Sequence, residues 1–199
     1  LEAIPAEMKY TSEKIIYRYG ISINNADDFS DFVSGIGKYT DRSANYILTA
    51  NINMKNKAAL NPIHTTFTGT FDGDYHSVSY LKGNTSAILY AIDNATVKNL
   101  LITNAKVENT VSTASILASS SSNSVVSRVF SVESESISNG DASLIIGTSR
   151  NDTIQECGAL GGKVYSTFEP EYSVGGVSGS IWQSRIYDNY MVNSSIGKA

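Results

Sequence analysis

The chain is poor in the residues that cross-link, hold metals or cross membranes. It has one cysteine, Cys157, in 199 residues, so no internal disulfide can form and the small cross-linked secreted scaffolds are excluded. Its two histidines, His64 and His76, lack the His-Glu-x-x-His context that sets a zincin's ligands one helical turn apart with the general base between them. No metal ligands and no cofactor are expected. Charge is also thin, with 15 basic against 19 acidic residues, a net of -4 and a charged fraction of 17%. Neither a basic nucleic-acid face nor an acidic tail follows from that balance. No apolar run approaches the roughly 20 residues that span a bilayer, and residues 1–14 lack the basic start and apolar core of a signal peptide. Membrane insertion is therefore not expected.

What is present is apolar and repetitive. A hydrophobic fraction of 41% allows a substantial core in one elongated domain or two small ones. Four tetrads recur, Ile88-Leu89-Tyr90-Ala91, Ser115-Ile116-Leu117-Ala118, Leu144-Ile145-Ile146-Gly147 and Gly176-Val177-Ser178-Gly179, at steps of 27, 29 and 32 residues. Each is followed by a second β-type segment, within 97–102, 125–132, 154–160 and 186–192, and then by an apolar mark at Val107, Ile137, Val164 or Ile196. Ser, Asn and Gly punctuate them, as in Ser119-Ser120-Ser121-Ser122-Asn123 and Asn139-Gly140-Asp141. A unit of this size cannot bury its own apolar face, so stacking coil upon coil is the physical solution. A sandwich of antiparallel hairpins is the alternative, but it requires no fixed order of motifs at nearly 30-residue steps.

Residues before the repeats differ. Asn25 reads as an N-cap, Asp27 and Asp28 suit the positive end of a helix dipole, and Phe29, Phe32, Val33 and Ile36 share one face of a helix over about 25–36. Gly35 and Gly37 end it. Such a helix suits the covering of a first coil whose strand edges would otherwise invite association. Alternation of Tyr17, Tyr19, Ile21 and Ile23 suggests a linking strand. The expected division is 1–20 as an N-terminal extension, 21–83 as cap and first coil, and 84–199 as coils. Because the chain lacks an initiator Met and stops within a repeat, it reads as an excised piece that continues into further domains.

The order Tyr46-Ile47-Leu48-Thr49, Pro62-Ile63 and Phe67-Thr68-Gly69-Thr70-Phe71-Asp72-Gly73-Asp74-Tyr75-His76-Ser77-Val78 resembles the start of GLUG-motif β-helix regions, with Asp74 and Tyr75 in place of the usual Asn and Gly. Leu89-Tyr90-Ala91 stands where that family has Leu-Phe-Gly, and Ala95-Thr96-Val97-Lys98-Asn99-Leu100 is similar to its Ala-x-Ile-x-Asn-Leu. Glu156-Cys157 stands at its Asn-Cys, and Val174-Gly175-Gly176-Val177-Ser178-Gly179 resembles its Val-Gly-Gly-Leu-Val-Gly. The likeness covers about 21–199, and the middle coils have lost most motif glycines. It implies an all-β, right-handed parallel β-helix (solenoid) with a short N-terminal capping helix, in an extracellular or cell-surface setting. GLUG regions occur in bacterial surface adhesins and, in similar form, in the N-terminal parts of streptococcal IgA-specific zinc metalloproteases. The likeness implies no reaction.

Residue chemistry points the same way. Asp72-Gly73-Asp74-Tyr75-His76 is the densest polar cluster. It is better explained as a turn, Asp72 bonding its own backbone and Gly73 taking positive φ, than as a calcium or acid/base site. Asp152 and Asp188 occupy turns after the tetrads of adjacent repeats, while Lys98, Arg128, Arg150 and Arg185 are scattered. Cys157 aligns with Leu100 and should face inward. Aromatic residues gather near the end of the chain, and Phe168, Tyr172, Trp182, Tyr187 and Tyr190 are the candidate binding residues, amphipathic groups suited to a host protein or glycan. No catalytic residue is assigned. The expected function is a non-catalytic module, either recognition surface or rigid spacer. The alternatives are a substrate-recognising or structural region of a large surface zinc metalloprotease, or a β-helix carbohydrate-active enzyme.

Overall fold

The computed structural model describes residues 10–11, 14–15, 19–84, 86–167 and 173–198. Its strands stack in parallel as a β-solenoid of about six turns, with one short helix near the N-terminus. Tyr10–Thr11 and Lys14–Ile15 form a separate antiparallel pair.

Helix α1, Ala26–Ser34, starts where the Asn25 side chain accepts from the amides of Asp27 and Asp28, both at 2.9 Å. It stops at Gly35, whose φ of 65° only glycine adopts freely. Ile36 therefore falls beyond the helix and is exposed, unlike Phe29, Phe32 and Val33, which are buried. Phe32 sits among the rings of Phe29, Tyr39, Tyr46, Phe67 and Phe71, with centroids 4.9–6.2 Å away. Arg42 fastens the end of this helix, donating from Nη1 to the Phe32 carbonyl at 2.8 Å while its guanidinium lies 5.2 Å from the Phe32 and Phe67 ring centres. The strand expected from Tyr17 to Ile23 forms at Ile21–Ile23; Tyr19 lies exposed before it, and Tyr17 lies outside the described residues.

Each regular coil runs through flats separated by corners. In the coil of Leu89–Asp93, Thr96–Thr103 and Lys106–Asn109, the residues at positive φ are Asn94, Asn99 and Asn104. The next coils place Asn123, Arg128 and Glu133, then Asn151, Glu156 and Gly161, then Gln183, Asp188 and Asn193 in the same three positions, all with φ between 50° and 65°. The spacing within a coil is always five residues. A left-handed residue other than glycine costs about 1–2 kcal/mol, and the stacked neighbours offset it. At the first corner the Asn123 amide donates to the Arg150 carbonyl at 2.9 Å and that of Asn151 to the Trp182 carbonyl at 3.0 Å. The residue after each corner points inward, which is the structural sense of Asn99-Leu100 and of Glu156-Cys157. Leu100, Val129 and Cys157 are buried in one column.

Backbone pairing corrects the repeat alignment read from the tetrads. Leu89 pairs with Ala118, Ala118 with Ile146 and Ile146 with Ser178, steps of 29, 28 and 32 residues. Against the register shared by Leu144 and Gly176, the tetrad starts at Ile88 and Ser115 are thus displaced by one position each, in opposite directions. The partner of Val107 and Val164 is Ser136 rather than Ile137. Ser136 is buried, its hydroxyl donating to the Ala114 carbonyl at 3.0 Å, and Ile137 lies on the outer surface between Glu108 and Tyr165. A hydroxyl with a local carbonyl acceptor substitutes here for a methyl group, so hydrophobicity alone misassigns the column.

Gly73 also differs from expectation. Positive φ falls on Asp74 and Tyr75, while Asp72 Oδ1 accepts from the Asp74 amide at 2.9 Å. Gly73 is needed for proximity: a Cβ there would lie 2.4 Å from the Asn99 carbonyl oxygen of the following coil. Gly69 is under the same constraint from the preceding coil, with the Ala44 carbonyl oxygen 2.0 Å from where its Cβ would be.

Candidate functional site

Trp182, Tyr187 and Tyr190 all belong to the last described coil, and each ends a different outward column. Trp182 follows Asp93, Ser122 and Arg150, whose guanidinium lies 5.6 Å from the indole centre. Tyr187 follows Lys98, Ser127 and Gln155, and its hydroxyl donates to the Gln155 side-chain carbonyl. Tyr190 follows Leu101, Phe130 and Gly158. The first corner separates Trp182 from Tyr187 and the second separates Tyr187 from Tyr190, so the three rings stand on three successive flats. Phe168 and Tyr172 lie outside the described residues.

Tyr190 leads to a surface that the aromatic count did not reveal. On the flat between the second and third corners, two outward columns are mostly apolar: Leu101, Phe130, Gly158 and Tyr190, and beside them Thr103, Val132, Leu160 and Val192. Leu101, Phe130, Val132 and Leu160 are half-buried, whereas Tyr190 and Val192 are exposed. Phe130 leans along the sheet over Gly158, where a Cβ would come within 2.8 Å of its ring. The result is a flat apolar stripe on the side of the solenoid. Apolar residues in a strand are usually assigned to the core; the clue lay in the five-residue period, which makes two inward and two outward positions of each flat distinguishable.

A chain of polar contacts borders this stripe at the second corner. Asn99 donates to Asp72 Oδ1 at 2.9 Å, Arg128 Nε donates to Asn99 Oδ1 at 2.6 Å, and Arg128 Nη1 reaches Glu156 Oε2 at 2.9 Å. Lys98 lies 3.3 Å from the other Asp72 oxygen. The hydrogen bond to Glu156 raises the Arg128 pKa further above its already high ordinary value. Four coils are thereby linked along the outside, with opposite charges matched and donors and acceptors held in fixed order. Such an arrangement sets polar groups at fixed spacing beside an apolar strip.

Asp152 and Asp188 do not share a column. Asp152 follows the first corner and is buried, accepting from the Ser124 amide at 2.8 Å, the Ser149 hydroxyl at 2.6 Å and the Arg150 amide at 3.1 Å; Asp188 is itself the second-corner residue of the last coil. Cys157 is fully buried, and burial pushes its thiol up to about 11, away from the thiolate that nucleophilic chemistry needs. His64 stacks on Tyr90 with centroids 4.4 Å apart. Among the described residues no three His, Cys, Asp or Glu side chains gather as metal ligands, and no helix is long and apolar enough to cross a membrane.

No protein-family model matches the chain, and no curated protein matches it. A solved structure does: the protein named "putative immunoglobulin A1 protease" from Bacteroides ovatus superposes with a TM-score of 0.63 over 90% of this chain, at 15% identity. This chain spans 58% of that one. At that identity the likeness establishes a shared solenoid fold.

Proposed function

We propose that this chain is a non-catalytic β-helix module of a bacterial cell-surface or secreted protein, built from degenerate GLUG-type coils. Its role is recognition of a host protein or glycan, and the observation that carries this reading is the outward apolar stripe of Leu101, Phe130, Leu160 and Tyr190 with its polar border. A pure spacer has no use for apolar side chains on an outer flat, where they cost solubility. Screening the chain against host glycans and extracellular proteins tests the proposal. The hit should weaken at least tenfold for Phe130→Ser and Tyr190→Ser while circular dichroism is unchanged. Absence of any ligand, or binding indifferent to both substitutions, would leave the spacer role in its place.

A second reading is supported by the named protease activity of the structural neighbour and by its greater length. There the module is the substrate-recognising or structural region of a larger surface protease, and the full reading frame should contain a His-Glu-x-x-His segment. A carbohydrate-active enzyme is the weaker alternative, since Asp72 and Glu156 on the outer face are each held by a cation, Lys98 and Arg128.

A further inference from the structure

The polar cluster of residues 72–76 holds an aromatic ring where the backbone disfavours one. Residues 73–76 form a tight turn, closed by the His76 amide donating to the Gly73 carbonyl at 2.7 Å, and its central residues Asp74 and Tyr75 have φ of 46° and 63°. Both being left-handed makes this a type I′ turn, for which Asn and Gly are the favoured pair. Five residues on, at the third corner of the same coil, Tyr80 has φ of 60°. Every other described residue at positive φ is Gly, Asp, Asn, Gln, Glu or Arg. Bulky side chains are outliers in this region, and the two that adopt it stand on either side of one flat, Ser77–Ser79.

Burial does not offset the strain. Tyr75 is 67% exposed and Tyr80 38%, whereas Phe71 and Val78 of the same coil are fully buried. The Tyr75 hydroxyl is near enough to Arg128, two coils on, to help raise its pKa, so the ring extends along the second-corner column. The Lys55 ammonium lies 5.6 Å from the Tyr80 ring centre. Strain that persists without burial points to function.

Between the rings the surface is polar. Ser77 and Ser79 are half-buried on the outward side; the Ser77 amide donates to Asn51 Oδ1 at 2.9 Å and the Ser79 hydroxyl to the Ile52 carbonyl at 3.2 Å. Asn51 and Asn53 are exposed beside them. Five extended residues hold the two tyrosines at most about 16 Å apart. Amphipathic rings with hydroxyls and amides between them suit a short oligosaccharide, whose ring faces are apolar C–H and whose edges are hydroxyls. A polypeptide segment is better matched by the apolar stripe, which begins one coil later at Leu101.

We propose that Tyr75 and Tyr80 form a saccharide-binding site across the Ser77–Ser79 flat, the rings serving as stacking platforms and Ser77, Asn51 and Asn53 as partners for sugar hydroxyls. This rests on the reading of the chain as a recognition module, and it assigns a glycan to this part of the surface. The test probes a printed array of animal and plant oligosaccharides with the complete chain and with Tyr75→Gly, Tyr80→Gly, Tyr75→Phe and Phe130→Ser. Oligosaccharide binding should fall at least tenfold in each glycine variant and survive Tyr75→Phe, which keeps the ring. The melting temperature should rise by about 2 °C in Tyr75→Gly, because glycine relieves the left-handed strain. A melting temperature lowered by several degrees would make the ring structural and overturn the proposal. An array on which nothing binds overturns it too, as does oligosaccharide binding indifferent to both glycine variants. Binding of an extracellular protein that is lost in Phe130→Ser but unchanged in Tyr75→Gly and Tyr80→Gly would keep the recognition role and sink this site alone.

Discussion

The first and last described coils of the solenoid are built on opposite principles. At the start, six aromatic side chains, Phe29, Phe32, Tyr39, Tyr46, Phe67 and Phe71, fill the coil interior and α1 lies across it, so that all are 0–1% exposed. In the last coil the equivalent inward positions hold isolated aliphatic residues, and they remain substantially open to solvent. Between them the interior narrows to small residues, with Ser115, Ser131, Ser136 and Ser143 buried beside Ala and Ile. A column position in this fold therefore determines direction, not burial. Burial comes from the coil that follows, and at the start α1 supplies the cover.

This contrast can be broken most sharply at the covered end. Phe32→Ala removes the ring that touches five others and should cost about 3–5 kcal/mol, read as a lower urea midpoint. The middle and the end can then be compared within one column, where Val164 pairs with Ile196. Val164→Ala should cost about 2 kcal/mol, and Ile196→Ala less than about 0.5 kcal/mol. Similar losses at both sites would mean that the last coil is covered in solution. The smallest effect is a pH effect. The Cys157 thiol has an ordinary pKa of 9.0 and is pushed up to about 11 in the fold, so the unfolded chain releases this proton first as pH rises. Its contribution is complete below pH 9 and is lost between 9 and 11, reaching about 1 kcal/mol at pH 10. The stability difference between wild type and Cys157→Ala should shrink by that amount between pH 8 and 10, and a difference constant with pH would place the thiol in water.

Much of this was legible from residues whose chemistry is local. Asn25, Asp27, Asp28 and Gly35 mark the limits of α1 because capping depends on neighbours in sequence, and the order of apolar segments reports the coil because stacking requires it. The inward position of Cys157 follows from the same order. Register was harder. Ser136 replaces an apolar residue, and the nearby Ile137 draws the alignment to itself, since only the partner coil specifies which of two adjacent residues points inward. The corners were hidden for a related reason: Arg128, Glu133, Glu156 and Gln183 have no intrinsic preference for positive φ and adopt it because stacked neighbours hold them there. The apolar stripe beside Tyr190 could not be separated from core until inward and outward columns were known.

The constant spacing of the corners has a consequence for how such a protein diversifies. The three corners of a coil keep their five-residue separation in all four regular coils, so the changes in coil length among 29, 28 and 32 fall between the third corner of one coil and the first of the next. One edge of the molecule thus tolerates insertion and deletion while the opposite flats remain fixed in length. Val111, 87% exposed in the 110–113 turn, lies on that tolerant edge. Descendants of this sequence can gain or shed loops there without disturbing the frame, and an epitope or reporter grafted at the same edge inherits that freedom.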